Sequence, residues 1–271
     1  MKKIVLIILY YGEFPWYFCW FLHTCRYNRD IDFLIVSGSS FEGSLPPNVT
    51  ILPIPIEEIK ALIAEKLGLE ADLRNPYKLC DWKPAYGLLL SGYIGSYDFW
   101  GYCDIDIIFG NIRNFLTDEL LEAYDIITVL ADFLAGYFTI YRNSPRFNRL
   151  FMASKDFRRV FTSGEHFCFD ECNFLFAKLD EGLLLEDIAC DIESMTHVVR
   201  KLQRERVIRV YFDTVSLQGL GGKLKWDKGT LVYRNRYEIM LYHLIQLKEI
   251  FKGRRVRKIP ESFRISTTKI Y

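Results

Sequence analysis

The feature that most constrains this chain is a pair of carboxylates inside an apolar, aromatic segment. Residues 96–111 read SYDFWGYCDIDIIFGN, a composition typical of a strand, and Asp104 and Asp106 interrupt it. In an extended chain, residues i and i+2 point to the same side, so the two carboxylates would converge and repel each other. Burying an unpaired carboxylate is costly. Because hard oxygen ligands suit Mg²⁺ or Mn²⁺, the segment predicts a divalent metal site.

The alternative is a solvated loop, because many Asp-x-Asp pairs lie on such loops. Here Ile107, Ile108 and Phe109 follow the pair directly. The carboxylates therefore lie inside an apolar segment rather than in a polar one, which favours the metal site.

The first third of the chain predicts an α/β fold with a mostly parallel sheet. Residues 3–10, 31–36 and 49–54 are apolar runs typical of buried strands, and residues 56–67 form an amphipathic helical pattern that Gly68 ends. This order of elements indicates an open sheet flanked by helices. Such sheets bind ligands beyond the carboxyl ends of their strands, where Asp104 and Asp106 are expected.

The composition excludes several classes of protein. A net charge of +1 argues against a nucleic-acid binder, and no run of about 20 apolar residues could span a membrane. Lys2 and Lys3 before an apolar run resemble a signal peptide, but no small-residue cleavage site follows, so the run is interpreted as the first strand. Seven cysteines without a Cys-x-x-Cys pair indicate buried thiols in a reducing cytosol. We therefore expect a cytoplasmic protein.

Two further segments carry charged residues that suit a site. Lys78, Asp81 and Lys83 precede a helix expected to begin after Pro84, and a helix N-terminus with nearby lysines favours an anion. A charged surface loop is the alternative. Residues 167–174 place Asp170 and Glu171 among aromatic residues, where a raised carboxyl pKa would suit acid–base chemistry. The alternative there is a helix N-terminus whose dipole the two carboxylates complement.

These segments together resemble a known family. The resemblance lies in five segments: the opening strand with Tyr11-Gly12, residues 76–87, residues 97–106, residues 139–143 and residues 169–171. They are similar to a bacterial family of uncharacterised, glycosyltransferase-like proteins with an Asp-x-Asp motif. More distantly, they resemble nucleotide-sugar glycosyltransferases of the GT-A fold. The resemblance covers most of residues 1–175 and is thin beyond them.

The resemblance implies a GT-A-like domain that transfers a hexose from a nucleotide-sugar donor, with a UDP-sugar favoured. The acceptor would be a glycan or a lipid-linked molecule in bacterial surface polysaccharide synthesis. The cofactor would be Mn²⁺ or Mg²⁺ on Asp104 and Asp106, completed by His243, which the sequence pattern places on a helix with Tyr242. The expected donor contacts are Tyr11, Lys78, Asp81, Lys83 and Asp104. Asp170 and Glu171 would serve acceptor chemistry.

Residues 1–247 are interpreted as one glycosyltransferase domain, with a nucleotide-sugar half (1–116) and an acceptor half (117–247). Residues 248–271 are interpreted as a basic tail, since they hold eight Lys or Arg residues against two Glu. The tail is expected either to contact an anionic membrane at its inner face or to be a solvated, partly disordered end. Its apolar residues, among them Phe251, Ile259 and Phe263, could alternatively pack on the domain or enter the membrane interface.

Two other functions remain open from the sequence. One is a catalytically silent protein that binds a nucleotide sugar or a carbohydrate on the same fold. The other is a phosphotransferase or phosphatase, which usually needs a nucleophilic Asp followed by Gly-Thr. Ile107 and Ile108 occupy the corresponding place here.

Overall fold

The structure is a computed structural model that describes residues 1–219, 222–251 and 258–271. No helix in these ranges is long and apolar enough to cross a bilayer. The strands are β1 (Ile4–Leu9), β2 (Ile31–Val36), β3 (Val49–Leu52), β4 (Phe99–Cys103), β5 (Ile107–Phe109), β6 (Ile126–Thr128), β7 (Phe138–Arg142), β8 (Val210–Phe212), β9 (Ser216–Gln218), β10 (Leu224–Asp227), β11 (Thr230–Tyr233), β12 (Tyr237–Glu238), β13 (Leu241–His243) and β14 (Ser262–Ile265). The α-helices are α1 (Phe18–Cys25), α2 (Ile56–Leu67), α3 (Lys78–Asp81), α4 (Tyr86–Leu89), α5 (Ser91–Ile94), α6 (Asp118–Ala123), α7 (Phe157–Thr162), α8 (Phe176–Asp180), α9 (Met195–Arg204) and α10 (Leu247–Ile250).

A mixed, mostly parallel sheet of seven strands forms the centre of the protein. Its strand order is β3-β2-β1-β4-β7-β6-β8, and β7 runs antiparallel to both of its neighbours. β1 pairs in parallel with β2 and β4, and helices lie on both faces. The predicted α/β class, a mostly parallel mixed sheet flanked by helices, is therefore confirmed.

The alternation of side chains along β1 explains why both faces of this sheet are covered. Ile4 and Leu6 point into one hydrophobic cluster, which includes residues of α1, whereas Val5 and Ile7 point into another, which includes residues of α2. All four side chains are almost completely buried. A strand buried on both faces reads as a continuous apolar run, which is how residues 3–10 read in the sequence.

The predicted helix over residues 85–93 is broken into α4 and α5, with a 3₁₀ turn before them. Gly87 and Gly92 lie in this segment, and glycine lowers helix propensity. Gly87 is needed for packing: a Cβ there would lie 2.2 Å from the Trp100 ring. By contrast, α2 has the predicted bounds and ends at Gly68, whose φ of +62° suits a left-handed cap.

A small three-stranded sheet, β5-β13-β9, lies beside the central one. It corrects the expected helix around Tyr242 and His243, because both residues belong to β13. β13 is hydrogen-bonded antiparallel to β5 and parallel to β9. Pairing on both edges satisfies its backbone groups, and this long-range pairing overrides the local helical pattern.

The C-terminal residues form a four-stranded antiparallel sheet, β12-β11-β10-β14. The sequence of residues 225–233 predicts a hairpin with a glycine at its turn, and the structure confirms it as β10 and β11, with Gly229 at φ +95° in the turn. Part of the predicted tail packs on the domain: residues 262–265 form β14, which pairs with β10, and Phe263 and Ile265 are buried. Two stretches lie outside the described residues: residues 252–257 of that tail, and residues 220–221 of the glycine-rich segment 219–223.

We expect the half-buried His23 to make stability depend on pH between about pH 6.5 and 4. The His23 ring packs against the Trp226 ring, with centroids 4.9 Å apart. Burial, assisted by Arg26 and opposed by Glu261, lowers the pKa of His23 from 6.5 to about 4. The folded state therefore gains stability from the neutral ring above pH 6.5, by roughly 1–2 kcal/mol after allowing for partial exposure. This stability is lost as the pH falls from 6.5 towards 4, because the ring must then be protonated.

Urea unfolding at a series of pH values tests this expectation. His23→Phe should flatten the pH dependence across that window relative to the unmodified protein. An unchanged pH profile in the variant would show that other groups cause the dependence.

Candidate functional site

The site lies where the chain leaves the central sheet. Asp104 directly follows β4, whereas Asp106 directly precedes β5 of the small sheet, so the chain passes from one sheet to the other between the two carboxylates. His243 ends β13 and is paired with Ile107 in the register of β5 and β13. One ligand atom from each of Asp104, Asp106 and His243 lies within 4.8 Å of the others. The predicted convergence of the two carboxylates is confirmed, and the structure brings His243 to them.

Each of the two carboxylates also forms an ion pair with a lysine. Lys83 Nζ lies 2.7 Å from Asp104 Oδ1 and donates to the Gly136 carbonyl oxygen at 2.8 Å. Lys248 Nζ lies 2.7 Å from Asp106 Oδ2, and His243 Nε2 lies 3.3 Å from the same oxygen. Negatively charged carboxylates and positively charged lysines therefore alternate within the cluster.

The electrostatics of the cluster follow from burial and these pairings. Burial alone would raise the pKa of Asp106, but His243 and Lys248 outweigh it and hold that pKa below its usual value. Burial opposes the charge on Lys83, yet the surrounding groups, Asp104 foremost, hold the pKa of the ammonium well above its usual value. Burial also raises the pKa of Asp170 well above its usual range, although Lys83 opposes this.

Two carboxylate oxygens and one imidazole nitrogen form a donor set that fits a divalent ion such as Mn²⁺. The Asp104 side chain is one third exposed, so an ion could reach it from the cavity. His243 Nδ1 is buried and has no hydrogen-bond partner among the described residues.

Asp170 and Glu171 lie in a loop of turns between α7 and α8, and neither begins a helix, so the helix N-terminus alternative is wrong. Glu171 Oε1 accepts from the Gly136 backbone nitrogen at 2.7 Å, and Oε2 lies 3.2 Å from the Cys168 thiol. A Cβ on Gly136 would lie 2.7 Å from Asp170 Oδ2. Both carboxylates therefore pack against bare glycine backbone. Asp170 Oδ2 lies 3.7 Å from Lys83 Nζ, which links this pair to the Asp104 side of the cluster.

A cavity of about 940 Å³ contains these groups and suits a ligand of substantial size. The hydroxyl of Tyr11, which is part of its wall, donates to the Ile54 carbonyl oxygen at 3.0 Å. The polar and aromatic residues of its wall are Tyr10, Tyr11, Tyr17, Tyr77, Lys83, Tyr86, Asp104, Asp106, Phe133, Tyr137, His166, Asp170, Glu171, Phe176, Asp180, Gln218, His243, Lys248 and Glu249.

The predicted donor contacts Lys78 and Asp81 lie outside the wall of this cavity. They form a completely buried ion pair at 2.9 Å. Lys78 also donates to the Glu165 carbonyl oxygen at 2.7 Å, and Asp81 accepts from the backbone nitrogens of Phe167 and Phe169. The pair instead holds the loop that carries Asp170. The donor roles of Tyr11, Lys83 and Asp104 stay predictions, since each residue lies in the cavity wall.

Sequence reasoning placed Lys248 at the start of a tail, whereas the structure places it in the site. Short helix α10 follows β13 and brings this lysine to Asp106, five residues after His243 in the sequence. Tyr137 was also missed: its ring stacks on His243 with centroids 4.4 Å apart, and its hydroxyl lies 2.8 Å from Ser216 Oγ. The signal for Lys248 was a basic residue soon after the histidine, while no local signal marked Tyr137.

Comparison with known proteins gives a family and a distant structural likeness. No curated protein matches the chain. The chain is similar to the crystal structure of the galactosyltransferase LgtC in complex with donor and acceptor sugar analogues, and to that of an active-site mutant of LgtC. In both cases the identity is 11% and the TM-score 0.39, over 79% of this chain and 75% of the other. The model of a family of unknown function, DUF6625, matches residues 6–271, and the chain belongs to that family.

Proposed function

We propose that this protein is a metal-dependent glycosyltransferase that moves a sugar from a nucleoside-diphosphate sugar to a hydroxyl acceptor. The observation that carries the proposal is the cluster of Asp104, Asp106 and His243 at the carboxyl end of β4, in the wall of a cavity of about 940 Å³. Open sheets of this kind bind ligands at that end of their strands. A UDP-sugar donor, a glycan or lipid-linked acceptor, a role in bacterial surface polysaccharide synthesis and a cytoplasmic location stay predictions.

The lysines beside the carboxylates support a diphosphate ligand. Lys83 and Lys248 each lie 2.7 Å from one carboxylate, so their ammonium groups stand where phosphate oxygens would meet the cluster. A bound divalent ion would neutralise the charge that develops on the departing diphosphate. Lys248 is the more exposed of the two lysines, and we assign it the contact with the diphosphate. Lys83 holds Asp104 against the Gly136 carbonyl group and so fixes the direction of that carboxylate.

Asp170 is the better candidate of the two acidic residues for acceptor chemistry. Both oxygens of Glu171 already have partners in the loop, at Gly136 and Cys168. Asp170 contacts Lys83 at 3.7 Å and is part of the cavity wall. We therefore assign Asp170 the task of accepting the proton of the acceptor hydroxyl, and Glu171 the task of positioning the loop.

The test is a panel of nucleotide sugars with and without Mn²⁺, read by melting temperature and by product formation. A matching donor should raise the melting temperature only with the metal, since a ligand of the native state stabilises it. Asp170→Asn should lower kcat by about 10²–10⁴-fold with little change in donor affinity, as expected for a general base. Glu171→Gln is the matched control, because its amide oxygen can still accept from Gly136, and it should keep most of the activity.

The outcomes separate the competing functions. Donor binding without product, with any acceptor tried, would favour the catalytically silent binding protein. Equal loss of donor affinity in Asp170→Asn would place this residue in the donor site. A metal-independent shift in melting temperature would contradict the proposed role of the cluster.

A further inference from the structure

Four cationic side chains surround a second concavity, on the C-terminal sheet. Its volume is about 530 Å³, and Lys223, Lys225, Arg234 and Arg264 lie in its wall. The remaining residues of the wall are Leu224, Asn235, Ile265, Ser266 and Tyr271, so no acidic side chain lines it. None of these residues lines the cavity of the candidate active site. The concavity is therefore a separate feature of the protein.

Strand register forces two of the cations together. Lys225 of β10 is directly opposite Arg264 of β14. Their neighbours Leu224, Trp226, Phe263 and Ile265 are buried, so both cations project from the outer face of the sheet. Like charges directly opposite each other destabilise an antiparallel pair. A pairing that costs stability is expected where a ligand compensates for it.

Within the described residues, an ion pair neutralises one of the four cations. Lys225 Nζ lies 2.8 Å from Asp227 Oδ2 on the same strand. Lys223, Arg234 and Arg264 form no ion pair with any residue in the described ranges, and all three are exposed. The guanidinium of Arg234 lies over the Tyr233 ring, 4.9 Å from its centroid. The wall therefore carries a net positive charge that the surrounding residues leave unbalanced.

The backbone brings Lys223 and Arg234 next to each other. Lys223 and Arg234 have φ values of +53° and +52°, in the left-handed region that non-glycine residues rarely occupy. The Arg234 backbone nitrogen donates to the Lys223 carbonyl oxygen at 2.9 Å, which keeps the two residues side by side at the end of the hairpin.

We propose that this concavity binds a phosphate group. Two guanidinium groups and two ammonium groups supply charge-assisted donors to phosphate oxygens, and the Asn235 amide adds a neutral donor at the rim. The phosphate belongs either to the headgroup of an anionic lipid or to a soluble phosphorylated molecule. This inference does not depend on the proposed function, because the two sites share no residue.

The experiment uses inorganic phosphate as the first probe and vesicles as the second. The melting temperature of the full chain is followed as phosphate replaces chloride at constant ionic strength. Co-sedimentation is measured with vesicles of phosphatidylglycerol in phosphatidylcholine and with vesicles of phosphatidylcholine alone. The test variant is Lys225→Ala/Arg264→Ala. The control is Lys155→Ala/Lys201→Ala, which removes two exposed lysines elsewhere on the surface.

We expect the test variant to bind the effective probe roughly 25-fold more weakly, and the control to bind it normally, if each cation contributes as it does near a charged surface. Without the probe, the test variant should be about as stable as the unmodified protein, because it loses the exposed Lys225–Asp227 ion pair but also the like-charge pair. This basal measurement separates loss of binding from loss of folding.

The two probes identify the source of the phosphate. A shift with inorganic phosphate without vesicle binding supports a soluble ligand, whereas binding to anionic vesicles supports a lipid headgroup. Binding that survives in the test variant, or no response to either probe, would overturn the proposal. So would loss of the phosphate response in Lys248→Ala, since that result would place the phosphate in the other cavity.

Discussion

Asp106→Asn should abolish the joint stabilisation by Mn²⁺ and a nucleoside diphosphate, and should reduce any transfer activity by about 10³-fold or more. Asp106 is almost completely buried, and its Oδ2 atom lies between His243 Nε2 at 3.3 Å and Lys248 Nζ at 2.7 Å. Asparagine keeps the shape but removes the charge that attracts a cation. It also leaves the lysine and the histidine facing each other without the carboxylate between them.

A second variant, Asp104→Asn, tests the same metal site with less risk to folding. Its side chain is one third exposed, compared with 6% for Asp106, so its loss should disturb folding less. Both variants should lose the metal-dependent rise in melting temperature, while the basal melting temperature shows whether each still folds. If both variants keep the full metal-dependent rise, the ion does not bind at these carboxylates and the proposed mechanism fails.

Lys78→Met should cost about 3–5 kcal/mol of unfolding free energy, because it leaves the Asp81 carboxylate buried without its ammonium partner. Lys78 and Asp81 are both completely buried, and the Lys78 ammonium also satisfies the Glu165 carbonyl group. Methionine fills the volume of the lysine stem but donates no hydrogen bond. Urea unfolding measures the loss.

The chain provides a matched control for this ion pair. Lys60 and Glu57 are also three residues apart and also 2.9 Å apart, but their side chains are 34% and 73% exposed. Lys60→Met should therefore cost about 0.5 kcal/mol or less. Similar small losses in the two variants would contradict the buried role of Lys78. A loss of donor binding in Lys78→Met with unchanged stability would restore the sequence prediction that Lys78 contacts the donor.

The sequence predicted that Asp104 and Asp106 converge, but it did not predict where the side chains of Lys78 and Asp81 point. Asp104 and Asp106 are two residues apart, so the sequence alone predicts that they lie close together, although the structure places them in the bend between β4 and β5 and not within one strand. Lys78, Asp81 and Lys83 are also close in sequence, and all three were predicted to face an anion. The structure directs Lys83 into the cavity but turns Lys78 and Asp81 towards the loop of residues 165–169. Which way a side chain points from a short helix depends on what packs against it.

The sequence by itself determined the features that depend on neighbours along the chain. The apolar runs gave β1 and β2, the amphipathic pattern and Gly68 gave α2, and the glycine turn gave the hairpin of β10 and β11. Local burial, helix propensity and turn conformation are properties of contiguous residues, so their patterns can be read directly.

Only the tertiary structure decided which distant residues meet. Lys248 contacts Asp106 across 142 positions of sequence, and His243 reaches the same carboxylate because β13 pairs with β5. The pairing of β14 with β10 likewise folds part of a predicted tail into a sheet and sets Arg264 opposite Lys225. Strand pairing selects partners by register and packing across the whole chain, and no local pattern in one strand specifies which distant strand it will join.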